Sequence, residues 1–306
     1  FNYSVRGSLS DYVSHITRYA NNPDKRLNDY YVGQRIGELW GFVVDGLFAT
    51  DEEAQDYQNN VLDALTLIGN GRMRGGFLAG DLRYVDLDND QSGPNGINQL
   101  SYGSNTVADP GDRKILGNQL PSLMYGLNVA FDWKGFDISA FFQGTGNHYW
   151  YPAGMNISFW GPYSYPYVTT FQPRDFMQNV WTEENPDAYF PRARGYSSTG
   201  GELKLINSRY LQNIRYLRFK NLTVGYTVPK KLTQLIHVDK VRFYFSGENL
   251  AYWSPIKKHT KYLDPESAYR RKTDVDGNGV YKNSDASDAA AYPWQKTLMF
   301  GVDITF

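Results

Sequence analysis

Apolar and polar residues alternate along several stretches of this chain, the signature of β-strands whose two faces meet different surroundings. In Leu123–Trp133 the odd positions are Leu123, Tyr125, Leu127, Val129, Phe131 and Trp133, and the even ones are Met124, Gly126, Asn128, Ala130 and Asp132. Lys134-Gly135 then supplies a two-residue turn, with glycine free to take positive φ. The return run sets Phe136, Ile138, Ala140 and Phe142 against Asp137, Ser139, Phe141 and Gln143, which predicts one long hairpin. The chain opens in the same way, with Phe1, Tyr3, Val5, Gly7 and Leu9 alternating with Asn2, Ser4, Arg6 and Ser8. It closes with Leu298, Phe300, Val302, Ile304 and Phe306 on one face and Thr297, Met299, Gly301, Asp303 and Thr305 on the other.

A second hairpin is predicted from about 210 to 250. Its apolar phase slips, because Leu217 and Phe219 are odd whereas Leu222, Val224 and Tyr226 are even. A bulge near Asn221 reconciles the two phases. After Pro229-Lys230-Lys231, a strand begins with Val241, Phe243 and Phe245 against Arg242, Tyr244 and Ser246. Arg35–Phe48 is aromatic but does not alternate cleanly, and is expected to be a further strand. Long connections remain at roughly 49–120, 145–208 and 252–293, longer than compact domains ordinarily carry. The first should open with a helix: Thr50 is a good N-cap, Glu53 completes a capping box, and Asp51 and Glu52 suit the positive helix end. Leu62 and Leu65 would give that helix its apolar stripe.

Strands this long, apolar on one side and polar on the other, fit a tilted crossing of a bilayer. The last strand of a soluble β-sandwich shares the pattern. A carboxy-terminal Phe306 behind Val302 and Ile304 resembles the terminal insertion signal of bacterial outer-membrane proteins. Composition sharpens the choice. Aromatics make up 16% of the 306 residues, with 25 Tyr, which favours strands and interfacial girdles. There is no cysteine, whereas small secreted domains often depend on disulfides. No apolar run is long enough for a transmembrane helix. The net charge of −1 gives no electrostatic case for a nucleic-acid partner. The absence of Met or a signal region at Phe1, inside a strand, leads to the expectation of a carboxy-terminal piece of a longer protein.

Seven segments together resemble the SusC/RagA family of TonB-dependent outer-membrane importers. They are ELWGFVVDGLF (38–48), GDLRYVDLDND (80–90), 112–147 around the first hairpin, RYLQNIRYLRFKNLTVGYTVPK (209–230), RFYFSGENL (242–250), LDPE (263–266) and the closing GVDITF. They occur in the family's order and span nearly the whole chain. The resemblance implies an all-β fold: an antiparallel transmembrane β-barrel, 22-stranded when whole, with long extracellular loops. Residues 1–306 would form its carboxy-terminal part, about eight strands. The plug and the TonB-contacting segment would lie outside the chain. It also implies a SusD-like surface lipoprotein as partner, TonB acting through the missing amino-terminal part, surrounding outer-membrane lipid, and an oligosaccharide or peptide as ligand.

Asp86, Asp88 and Asp90 have the alternate spacing of a calcium loop, in which carboxylates converge on one hard cation. Gln91–Pro94 interrupts the family's usual continuation, and Asp109 and Asp112 would have to complete the set. Asp274, Asp276 and Asn278 repeat the spacing, with Asp285 where the motif prefers Glu. A solvated acidic turn is the competing reading at both places; no cofactor is required, and a structural Ca2+ would stiffen a loop. Trp150, Tyr151, Phe159, Trp160, Tyr163, Tyr165 and Tyr167 crowd one proline-rich loop. Their faces suit stacking on sugar rings or peptide side chains, or contact with the lipoprotein. A membrane girdle, or packing of the loop on itself, would use the same residues.

Signals for catalysis are thin: no pair among His15, His148, His237 and His259 has metal-site spacing, and there is no thiol or phosphate-binding glycine loop. The resemblance implies import rather than an enzymatic reaction, with Asn128, Asp132, Asp137 and Gln143 lining the passage. The alternative is a secreted soluble β-protein that binds glycans through the aromatic loop.

Overall fold

A computed structural model describes residues 1–69, 73, 75–152, 154, 156–167, 174–260, 263–266 and 294–306. Asp274, Asp276, Asn278 and Asp285 lie outside the described residues.

Six antiparallel strands form one sheet: β1 (Asn2–Ser10), β2 (Ser122–Trp133), β3 (Phe136–Asn147), β4 (Tyr216–Thr227), β5 (Lys240–Trp253) and β6 (Thr297–Thr305), paired in chain order. The register carries the alternation across the whole sheet. Tyr3, Phe131, Ile138, Val224, Phe245 and Phe300 stand side by side on one face. Ser4, Ala130, Ser139, Thr223, Ser246 and Met299 form the matching row on the other. Lys134 and Gly135, with φ of 48° and 89°, make the tight turn between β2 and β3. Both positive angles match the twist of the flanking strands. The ladder slips by one residue between Phe219 and Asn221, so the expected bulge is present and returns Leu217 and Phe219 to the apolar face. There Phe219 stacks on Phe142 at 4.5 Å.

Among the described residues nothing covers the apolar face. Leu298, Val302 and Ile304 are 56%, 51% and 53% exposed, and Trp133, Phe136, Phe243 and Trp253 are exposed as well. A soluble sandwich would bury these residues against a second sheet.

Connections differ at the two ends of the sheet. Residues 134–135 and 228–239 join strands at one end, where Phe1 and Phe306 also lie. Residues 11–121, 148–215 and 254–296 leave from the other. These long connections hold the dry core, where Phe42, Leu62, Leu82, Tyr84, Leu100, Phe159, Trp160, Phe190, Leu203, Tyr210 and Ile256 pack together. They fold into one layer, because segments far apart in sequence hydrogen bond: Phe42 N–H donates to Ile206 O at 2.8 Å, and Tyr84 Oη donates to Glu202 O at 2.6 Å.

Two local expectations need correction. Arg35–Phe48 is not a strand of the main sheet; Glu38–Phe42 and Val44–Leu47 are short strands of the loop layer, paired with Arg113–Asn118 and Leu82–Tyr84. This is one reason the described sheet has six strands where about eight were expected. An aromatic run without alternation, with Leu39, Phe42 and Phe48 buried, suits that core rather than a lipid boundary. Helix α1 (Asp51–Asn60) starts as read, with Thr50 accepting from Glu53 N–H at 3.1 Å, while Glu53 accepts from Ala49 N–H. It stops before Leu62 and Leu65, which belong to a short strand and a short helix packed on the core.

Candidate functional site

The polar face of the sheet and the loop layer above it hold the residues that could meet a solute. Near the short-turn end, Arg242 on β5 reaches Asp137 on β3 at 2.6 Å and Asp303 on β6 at 3.1 Å. Gly225 of β4 lies between Asp137 and Arg242. A Cβ there would stand 2.5 Å from the Asp137 carboxylate and 2.6 Å from the guanidinium, so only glycine leaves room for the pair. Asp137 lies on this face, as expected, and Asp132 stands opposite it in the ladder.

At the long-loop end, Arg218 of β4 is buried and donates to both oxygens of Asp264 at 2.7 Å. Its Nε is 3.0 Å from Glu266, which also accepts from Tyr216 Oη at 3.0 Å. Lys220, the extra residue of the bulge, turns to Glu266 at 3.4 Å, and the Trp294 ring covers both cations at 5.0 and 4.1 Å. The LDPE segment thus clamps the third long connection to the barrel strand. A bidentate Arg–carboxylate contact fixes geometry more tightly than a lysine would. The sequence offered LDPE as a motif but not its partner, which lies 46 residues away.

The first acidic loop is partly assembled. Asp86, Asp88 and Asp112 each place a carboxylate oxygen within 4.8 Å of the others. Asp90 turns instead to Ser92 and Gln99, and Asp109 accepts from Ser104 N–H at 2.8 Å. Asp112 is fully buried and accepts from the N–H groups of Leu87 and Ser101. Burial pushes its carboxyl up to about 6. Three convergent carboxylate oxygens suit a hard divalent cation, which would offset that desolvation.

Most of the aromatic loop is core. Trp150, Trp160 and Tyr163 are 6%, 0% and 1% exposed, and Tyr151 spends its hydroxyl on Leu203 O and Leu205 O. The expected ligand contact of Trp150, Trp160 and Tyr163 is therefore corrected: these rings fill the loop layer, with Tyr151 half-buried against it. Tyr165, half-buried like Tyr151, and Tyr167, 70% exposed, lie beside Tyr196 at centroid distances of 5.7 and 6.4 Å. Val302 and Ile304 lie on the apolar face, and Phe306 projects beyond the last strand.

A further buried cluster had no sequence signal. Asp81 is salt-bridged to Arg194 at 2.6 Å, and Glu202 accepts from Leu82 N–H nearby. Complete burial pushes the Glu202 carboxyl far above its ordinary range.

Two curated proteins of Formosa agariphila, TonB-dependent receptors P26 and P3, are each 28% identical to the chain, over 64% and 90% of its length. The chain is similar to TonB-dependent receptors along most of its length. It spans about a fifth of those relatives, 18% and 22%. No protein-family model matches. Among solved structures, the RagAB peptide transporter aligns over 99% of the chain with a TM-score of 0.58 at 16% identity. The RagAB peptide importer in its open-open state does so at 0.54 and 15%. The chain covers 27% of each of those chains. At that identity the likeness concerns fold alone: an antiparallel sheet that is part of a β-barrel. Among the described residues no helix is long and apolar enough to cross a membrane, which leaves crossing by strands untouched.

Proposed function

We propose that this chain is a sector of the barrel wall in an outer-membrane importer, and that the whole protein takes up an oligosaccharide, with a peptide as the second substrate class. A SusD-like lipoprotein would meet the loop layer from outside, and TonB would act through segments beyond the chain. The observation that carries the reading is the inverted distribution of apolar surface: the sheet exposes its greasy face while the dry core sits in the loops. The match to TonB-dependent receptors supports it. In this reading Ca2+ at Asp86, Asp88 and Asp112 braces the loop layer, and Phe306, Ile304 and Val302 serve as the insertion signal.

Two measurements test the proposal. The full-length protein should sediment with outer membranes and need detergent to stay monodisperse; a monomer stable in plain buffer would refute the barrel. Deleting the gene, or that for TonB, should abolish energised uptake of the labelled oligosaccharide. Undiminished uptake of both oligosaccharides and peptides would refute import.

A further inference from the structure

We infer that a cavity at the long-loop end of the sheet binds an oxyanion carried on a sugar ring, so that the nutrient is an acidic oligosaccharide; this rests on the import reading. The cavity holds about 940 Å³, within the range of ordinary ligand pockets. It opens where β5 outruns its partner. The β5–β6 ladder ends at Glu248–Thr297, and Asn249–Trp253 continues beyond it with no β6 partner among the described residues, facing Trp294 and Lys296.

Its lining is unbalanced in charge. Among the described residues, Arg215, Arg218, Lys257 and Lys296 face one carboxylate, Asp264, which both Nη2 bonds of Arg218 already occupy. Among the described residues Arg215, Lys257 and Lys296 meet no carboxylate at ion-pair distance. Arg242, by contrast, is held between two aspartates. Lys257 is pinned over the Tyr252 ring at 3.5 Å by a 2.6 Å hydrogen bond to Tyr252 O, which leaves two N–H groups for a ligand. Arg215 and Lys296 are exposed. The clamped Arg218–Asp264 pair makes a rigid floor, so little ordering is needed on binding. Trp294 and Tyr252 add aromatic faces for the apolar side of a sugar ring. Uncompensated cations beside aromatic faces fit a ring bearing a carboxylate better than a neutral sugar.

The test uses the full-length protein in detergent, titrated calorimetrically with trigalacturonic acid and with neutral galactotriose. The acidic trisaccharide should bind at least tenfold tighter. The preference should shrink as salt rises, and the double variant Arg215→Gln/Lys296→Gln should remove it, since each charge-assisted hydrogen bond is worth roughly tenfold or more. Equal affinity for the two sugars, a preference retained by the double variant, or binding of an acidic hexapeptide but not of the acidic sugar would each overturn the inference. Uptake by wild-type cells separates it from the import reading. Equal uptake of both trisaccharides, or uptake of a labelled peptide but of neither trisaccharide, overturns the pocket and leaves import standing, whereas uptake of none of the three removes import and the pocket's role with it.

Discussion

Leu127 of β2 sits among Gly7 and Phe142 on the exposed apolar face, six residues from Trp133 at the short-turn end. At ~3.3 Å per residue and a tilt of about 40°, that is roughly 15 Å along the membrane normal, near the middle of a band about 25 Å tall. Leu127→Arg should therefore cost about 2–4 kcal/mol from the charge at mid-depth, with ~1 kcal/mol more from lost aliphatic surface. Ala130→Arg is the control, three residues on and on the opposite face, between Ser4 and Ser139. Facing water, it should cost under about 1 kcal/mol. The assay is reversible folding of the full-length protein into lipid vesicles under urea titration, with heat-modifiable gel mobility marking the closed barrel. Equal costs for the two variants, or a larger one for Ala130→Arg, would mean that the apolar face does not meet lipid.

Three further outcomes are expected. Phe306→Lys should lower the fraction of protein assembled in the outer membrane at unchanged synthesis, and normal assembly would remove Phe306 from the insertion signal. Because the folded-state carboxyl of Asp112 lies at about 6, above the ordinary value of 3.8, proton binding favours the folded loop layer. In chelator its melting temperature should fall as pH rises from about 4 to about 6 and then level off. Ca2+ at pH 7 should restore the loss in wild type but not in Asp88→Asn, and no response to Ca2+ would sink the cation site. In the loop core, Glu202→Gln should change stability by under about 1 kcal/mol, since burial already disfavours the charged carboxylate and the amide keeps its shape. Asp81→Asn should cost about 3–5 kcal/mol, because it leaves Arg194 buried without its carboxylate; denaturant titration of both variants decides between these roles.

The period-two pattern made the β2–β3 hairpin, its Lys134-Gly135 turn and the bulge at Phe219/Asn221 legible before any coordinates. Each depends on neighbours in sequence and on one rule, that a strand between lipid and water must keep one face apolar. The same rule misled where water and lipid are both absent. Trp150, Trp160 and Tyr163 have the composition of a binding loop, and only their burial revealed a core; Arg35–Phe48 was drawn toward the barrel by the same aromatic content.

Thus the sequence alone determined the long strands, their two faces and the order of hairpins, because alternation is a local property read over a few residues. Tertiary structure decided which polar groups meet. The convergence of Asp112 on Asp86 and Asp88, of Asp264 and Glu266 on Arg218, and of Asp303 and Asp137 on Arg242 across Gly225 joins residues tens of positions apart. Such pairs are set by the register of strands and the packing of loops, and the energy of a charge depends on what the fold places beside it and on how much water it leaves there.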